Sequence, residues 1–292
     1  MNRSDAPRSD ARPLDRPIFI VAPPRCGTTL LYECLVTHPD VGFFNRANRN
    51  WPRSPRIAHW LTRVGGRLGG RFGSYRDTPR ESHDLWFRFL AERNVDVADE
   101  RDARPEIRAW YERTIGAVLA LRGATRYASK LPAHSAQLPF LDALFPAALF
   151  LQPIRAWRAV VASTVVKQAR DFPDGFFGVR MPGWQEQAKR APEFGAAWQY
   201  RAVHEYLDAQ APRYAGRFLQ VRYEALLVDP KATLRRVFDH CGLRCDEALL
   251  AKAAAPVQPN AEKWQKTLTP EKLAAIAREH GDFLRRYEPV DS

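Results

Sequence analysis

The first strong apolar pattern is the run Ile18-Phe19-Ile20-Val21, which breaks at Pro23-Pro24-Arg25-Cys26-Gly27 and resumes beyond Thr28-Thr29 at Leu30, Leu31 and Leu35. A short continuous apolar run predicts a buried strand, the Pro/Gly break a tight loop, and the later spacing an amphipathic helix. The same order returns at residues 148–154 (ALFLQPI), where a second core strand ends at Arg155 and a helix follows over 158–170 (RAVVASTVVKQAR). Parallel pairing of this strand with residues 18–21 is expected.

Between and after these units the apolar spacing predicts further elements. Leu85, Trp86, Phe89 and Leu90 share a helical face in ESHDLWFRFLAER, and Ile107, Trp110, Tyr111, Ile115, Val118 and Leu119 share one in the helix that follows. Tyr127 to Lys130 reads as a short strand closed by Pro132, and residues 135–145 as a short helix. Residues 171–193 are turn-rich. A long helix is expected from about Phe194 to Ala209, a third strand in RFLQVRYEALLVDP, a helix stopped by Gly242, and a last helix capped by Thr269 and begun by Pro270. Strands that alternate with helices specify an α/β domain, and in open α/β sheets the ligand crevice lies at the carboxyl ends of the strands.

Composition narrows this picture. A chain of 292 residues can bury a substantial core without disulfides or a structural metal. Its apolar runs are too short to cross a bilayer, and residues 1–16 form a polar tail without the apolar centre of a signal peptide, so a flexible tail and a cytoplasmic location are expected. Cys26, Cys34, Cys241 and Cys245 make no CxxC pair and read as free thiols. Cys26, in an amide-rich turn beside Arg25, is also a candidate low-pKa nucleophile. The net charge of +12 calls for an anionic partner without choosing one. Much of it is local: residues 41–80 carry nine arginines against the single acid Asp77, interleaved with Trp51, Trp60, Phe72 and Tyr75. IAHWLTRVGGRLGGRFG, within this basic insertion at about 45–80, reads as a short basic amphipathic helix ending in a loop, or as a solvated arginine-rich insertion.

The candidate chemistry collects at the strand ends. Backbone amides of Arg25, Cys26 and Gly27 and the first amides of the next helix form a phosphate cradle, with Arg25, Thr28 and Thr29 at its rim. It is not a GxxxxGK[ST] loop, because Gly27 precedes Thr28 where that motif has lysine; this argues against a magnesium-dependent nucleotide phosphotransferase or kinase. Arg155 and Ser163, eight residues apart, can reach one phosphate along the second helix. A non-enzymatic nucleic-acid or anionic-membrane binder is the reading from a different class, motivated by residues 45–80.

Four segments together resemble the sulfotransferases that use 3′-phosphoadenosine 5′-phosphosulfate (PAPS). APPRCGTTLLYECL resembles their 5′-phosphosulfate loop, with Cys26 where serine is usual. LFLQPIRAWRAVVAS resembles their 3′-phosphate segment, with Ala156-Trp157 in place of Asp-Pro or Asn-Pro. VRYEALLVDPKATLRRVFDHCGL and KWQKTLTPEKL resemble the Tyr-Glu-x-Leu segment and the basic C-terminal loop. The resemblance extends over most of residues 17–287 and implies a P-loop-containing three-layer fold, a central mainly parallel sheet flanked by helices, in a single domain. It implies that Arg25, Cys26, Gly27, Thr28 and Thr29 hold the 5′-phosphosulfate and Arg155 and Ser163 the 3′-phosphate. Tyr223, Lys263, Trp264 and Lys266 would complete the nucleotide site, Arg25 and Lys130 would act in catalysis, and no metal would be needed.

The implied reaction moves a sulfuryl group to a hydroxyl acceptor by in-line attack, which requires a base. Glu81, His134 and His83 are the candidates, and the choice among them stays open. The expected partners are the nucleotide donor and a hydroxylated small molecule, sugar, phenol or lipid. A peripheral membrane contact and a homodimer stay open, and no nucleic acid is expected.

Overall fold

In the computed structural model, residues 14–51, 54–68, 77–90, 93–173, 175–258 and 264–288 are described. The apolar run near the start forms β1 (Ile18–Ile20), the middle strand of a parallel sheet ordered β2-β3-β1-β4-β5. Its partners are β3 (Arg126–Lys130), with Ile20 opposite Lys130, and β4 (Leu149–Ile154), with Ile20 opposite Leu151. The edges are β2 (Val41–Gly42) and β5 (Phe218–Arg222). Every strand pairing is parallel. The chain runs from β1 to one side of the sheet and returns through β3, then continues on the other side with β4, so its connections change direction around β1.

Thirteen helices surround this sheet among the described residues. α1 (Thr28–Leu35) follows β1, and α2 (Arg46–Asn50), α3 (Pro55–Leu68), α4 (His83–Trp86) and α5 (Pro105–Arg122) lie between β2 and β3. α6 (Leu138–Leu144) leads into β4; α7 (Trp157–Asp171), α8 (Trp184–Ala188) and α9 (Pro192–Gln210) lie between β4 and β5. α10 (Tyr223–Val228), α11 (Pro230–Cys241), α12 (Glu247–Ala254) and α13 (Pro270–Arg285) complete the chain.

Alternate β1 side chains supply the two cores. Ile18 and Ile20 pack with Leu31, Phe238 and Leu250, while Phe19 and Val21 pack with Trp86, Tyr111 and Leu141. This is the period-2 alternation of a strand covered on both faces, and full burial of a residue such as Phe19 contributes ~1.5–3 kcal/mol. A third cluster at the carboxyl ends joins Ala22, Cys26, Ile154 and Tyr200 to Ile276 and Phe283 of α13.

The long helices follow the apolar spacing. α5 buries Ile107, Tyr111, Ile115, Val118 and Leu119, with Trp110 partly covered, and ends at Gly123 in the left-handed region. α11 stops at Gly242 with φ 66°, and the Thr269 hydroxyl caps α13 by accepting from the Lys272 amide. ESHDLWFRFLAER differs from its expected helix: among its described residues only His83–Trp86 is helical, a single turn that begins after Ser82 at φ 52°. Its apolar residues occur as adjacent pairs, and Leu85 with Trp86 is buried by stacking of Trp86 on Tyr111 rather than by a continuous helical face. The VGFF segment, given no element from its pattern, supplies β2. Of the expected polar tail, residues 1–13 lie outside the described residues, whereas the Arg16 carbonyl accepts from Arg126 and is tied to β3.

Candidate active site

The loop between β1 and α1 turns through two residues in the left-handed region, Arg25 (φ 73°) and Gly27 (φ 87°). Gly27 has a second constraint: a Cβ there would lie 2.3 Å from Cδ2 of Tyr223, so the tyrosine ring packs directly on the loop backbone. α1 begins without a side-chain cap and without an acid in its first turn, in contrast to α11 and α12, which Asp229 and Asp246 cap. Its leading amides therefore keep their capacity for an external anion.

The loop after β4 meets this cradle. Arg25 Nε donates to Ser163 Oγ at 2.8 Å, an Arg155 guanidinium nitrogen donates to the Arg25 carbonyl at 3.3 Å, and the Arg155 guanidinium carbon lies 4.6 Å from the centroid of the Tyr223 ring. Two further contacts hold the turn: Tyr200 donates to the Arg155 carbonyl at 2.8 Å, and Glu224 accepts from the Ala156 amide at 2.9 Å. Four cations, Arg25, Arg155, Lys167 and Arg170, line the resulting groove of about 300 Å³ with Trp264 and Ser163, and no acidic residue lines it. Burial, then the like charges of Arg155 and Arg170, lower the pKa of Arg25. Such crowding favours a multiply charged anion, and the donor set suits phosphate oxygens.

A second cavity, about 530 Å³, opens on the other side of Arg25 and Lys167, and both residues line the two spaces. One wall is aromatic, built by Phe87, Phe172, Phe176 and Phe177. The segment behind Phe177 is clamped twice. Gln199 donates to the Phe177 carbonyl and accepts from the Val179 amide, while the buried Asp96 accepts from the Arg180 amide at 2.8 Å and from Nε and Nη2 at 3.1 and 3.0 Å. A Cβ on Gly178 (φ 146°) would overlap Gln199 at 2.0 Å, so this close approach requires glycine.

Lys130, Glu81 and His83 line the same cavity. Lys130 ends β3, nine-tenths buried, and its Nζ is ion-paired with Glu81 Oε1; the other Glu81 oxygen is 3.0 Å from His83 Nε2. Burial pushes the Glu81 carboxyl up, but the hydrogen bond from His83 and the charge and hydrogen bond of Lys130 outweigh it and hold the pKa at about 2. A carboxylate only accepts, so His83 Nε2 carries the hydrogen of this contact. The His83 ring stacks on Phe87 with an interplanar angle of 8°.

The structure separates the base candidates. His134 does not line either cavity: it is 0% exposed, within hydrogen-bond distance of Ser129 and Gln137, and burial pushes its pKa down to about 3. Its place is the core beneath Trp86 and Phe19, because η-type winding of Pro132–Ala136 turns it inward. The Cys26 side chain is likewise buried, beside Ala22 and Ile154, and burial pushes its thiol pKa up, which removes it as a nucleophile and leaves its amide in the loop. Thr28 and the exposed Thr29 line the second cavity. Trp264 lines the groove; Lys266 is exposed and not part of its lining, and Lys263 lies outside the described residues. Lys167, Arg170, Tyr200, Glu224 and the Asp96–Arg180 pair escaped the sequence reading. Lys167 is four residues after Ser163, one turn along the same helix, and that spacing was the available signal.

A basic turn at a helix start that shares a wall with a carboxylate–imidazole pair, at the direction change of a parallel sheet, is where an α/β fold places its ligand crevice. The family model described as "Sulfotransferase family" matches residues 17–247, and the chain belongs to that family; it is a sulfotransferase that transfers a sulfuryl group to a hydroxyl acceptor. Similar curated proteins are the omega-hydroxy-beta-dihydromenaquinone-9 sulfotransferases Stf3 of Mycobacterium bovis and Mycobacterium tuberculosis, each 26% identical over 311 aligned positions that cover 94% of this chain and 75% of the relative. Among solved structures, sulfotransferase STF9 from Mycobacterium avium superposes with a TM-score of 0.61 at 18% identity, covering 95% of this chain and 79% of that one. STF1 from Mycobacterium tuberculosis gives 0.56 at 20% identity, with 90% and 78% covered. Both support the three-layer α/β fold. No helix among the described residues is long and apolar enough to cross a membrane.

Proposed function

We propose that the donor is PAPS, seated in the groove, and that the acceptor is a hydroxylated aryl or isoprenoid lipid seated in the aromatic cavity. The observation that carries this reading is the shared wall: Arg25 and Lys167 line both spaces. The residues fit the nucleotide. Amides of residues 25–29 with the Thr28 and Thr29 hydroxyls take the 5′-phosphosulfate, Arg155 and Ser163 the 3′-phosphate, and Trp264 and Tyr223 flank the site. Bound there, PAPS supplies the sulfuryl group.

The chain's own residues do the rest. His83 takes the acceptor's hydroxyl proton on Nδ1, and Glu81 holds the imidazole in that tautomer and stabilises its charged form. Glu81 itself, with both oxygens engaged and a pKa of about 2, is a weak base and acts by orienting His83. Lys130 keeps Glu81 ionised. Arg25, fixed by Ser163, neutralises charge on the leaving phosphate oxygen, and a donor placed at developing charge is worth about 10²–10³ in kcat. The aromatic wall favours an aryl or isoprenoid body over a sugar, and the Stf3 relatives are named for a hydroxylated menaquinone. A cytoplasmic location is consistent with a diffusible nucleotide donor.

The test combines titration of 3′-phosphoadenosine 5′-phosphate with a screen of phenols, isoprenoid alcohols and sugars for products heavier by one SO₃. His83→Asn should lower kcat by about 10²–10⁴ with little change in nucleotide affinity. Absence of nucleotide binding, or exclusive sulfation of sugars, would overturn the reading.

A further inference from the structure

Few large apolar side chains are strongly exposed among the described residues, and most have an evident place. Val166 and Phe172 border the two cavities, and Val228 stands alone. Ile57, 49% exposed, and Trp60, 61% exposed, instead sit together on α3. At 100° per residue they share an arc of about 120° with the exposed Arg56 and Arg63. Neither arginine has an ion-pair partner among the described residues.

The opposite side of α3 is anchored. Ala58 and Thr62 are buried, and the Thr62 hydroxyl donates to the Ala58 carbonyl and accepts from Asn45 Nδ2 at 3.0 Å. Asn45 also caps α2, against which α3 packs. Arg46 and Arg49 of α2 then line a wide opening of about 1020 Å³ whose inner end is formed by Glu81, His83 and Lys130. An apolar pair bracketed by cations thus stands on a helix packed against α2, whose Arg46 and Arg49 line a basic entrance to the proposed proton-transfer residues.

We propose that this face of α3 docks on an anionic lipid bilayer, with Trp60 and Ile57 in the interfacial layer and Arg56 and Arg63 against lipid phosphates. The choice of a bilayer over a protein rests on charge complementarity, since residues 41–80 carry nine arginines and one acid, and on an amphipathic tryptophan at the centre of the patch. The surface stands on its own geometry; its use, delivery of a lipid-soluble acceptor through the basic entrance, rests on the proposed function.

Co-sedimentation of the full chain with vesicles of equal parts phosphatidylglycerol and phosphatidylcholine tests it, with pure phosphatidylcholine vesicles and duplex DNA as comparisons. Binding to the anionic vesicles should exceed that to neutral ones and fall with salt. The double variant I57S/W60S should weaken it about tenfold or more, from the lost apolar burial, and R56Q/R63Q by a similar factor. Both variants should keep the wild-type melting temperature and nucleotide titration, because all four side chains are exposed. Equal binding to neutral vesicles, insensitivity to both variants, or equal affinity for DNA with the same variant sensitivity would overturn the proposal. Vesicle binding that persists in a protein that fails to bind the nucleotide would support the docking surface and count against the donor assignment alone.

Discussion

The basic groove and the aromatic cavity meet at Arg25 and Lys167 but are built in different ways. The groove is lined mainly by one helix, α7, from Ala159 to Arg170, with Arg25 and Arg155 from the turns before α1 and α7 and with Trp264 and Thr267 from the segment before α13. The cavity takes Glu81, His83 and Phe87 from around α4, Asp96 from the segment between α4 and α5, Lys130 from a strand end and the rest of the aromatic wall from residues 172–177. One side is therefore built largely on a single helix face, while the other is an assembly of pieces from several segments held by the Asp96–Arg180 and Glu81–Lys130 pairs.

The difference can be broken hardest at Gly27. Gly27→Ala adds a methyl group 2.3 Å from the Tyr223 ring at φ 87°, and backbone strain of about 1–3 kcal/mol together with that overlap should cost about a hundredfold in nucleotide affinity, read by titration of 3′-phosphoadenosine 5′-phosphate. Arg155→Ala should weaken the same titration about ten- to hundredfold, because it removes a charge-assisted hydrogen-bond donor while leaving the acceptor cavity intact. Asp96→Asn should act on the other side, raising the acceptor KM about tenfold by loosening the aromatic wall, with the nucleotide titration unchanged. A mirror-image result, with nucleotide affinity lost and acceptor KM kept, would refute the division.

Two smaller effects sharpen the roles of buried groups. Burial holds the pKa of both His134 and His204 at about 3 against 6.5 in the unfolded chain. Between those values the unfolded state binds more protons, so stability is complete above 6.5 and is lost as pH falls toward 3. His134→Gln should flatten part of the decline in melting temperature across that window, with His204 sustaining the remainder. Its kcat should change far less than that of His83→Asn. Cys26→Ser should retain transfer activity and lower the melting temperature by only a few degrees, at about 1 kcal/mol for a hydroxyl placed among Ala22, Ile154 and Trp157.

That Arg25 and Gly27 form the turn before α1, and that Arg155 and Ser163 meet it, was legible because strand, tight turn and helix N-terminus are local features, and eight residues along a helix fix a distance. The central strands and α5, α7, α9, α11 and α13 were legible for a related reason, since a buried face imposes its period on the residues that form it. The short segments were not. His83–Trp86 has the composition of a longer helix, yet stacking of Trp86 on Tyr111 ends it after one turn.

By itself, then, the sequence determined a parallel α/β sheet and the strand–turn–helix at its carboxyl edge, where we propose that phosphate binds, because apolar period, turn residues and helix starts act over a few neighbouring positions. Only the tertiary structure decided which of three acid–base candidates faces the cavity. Glu81, His83 and His134 are similar in sequence context, but burial turned His134 into the core, and a strand end 49 residues away placed Lys130 against Glu81. The environment that sets a proton's affinity is made by side chains brought together from afar, and no local pattern encodes it.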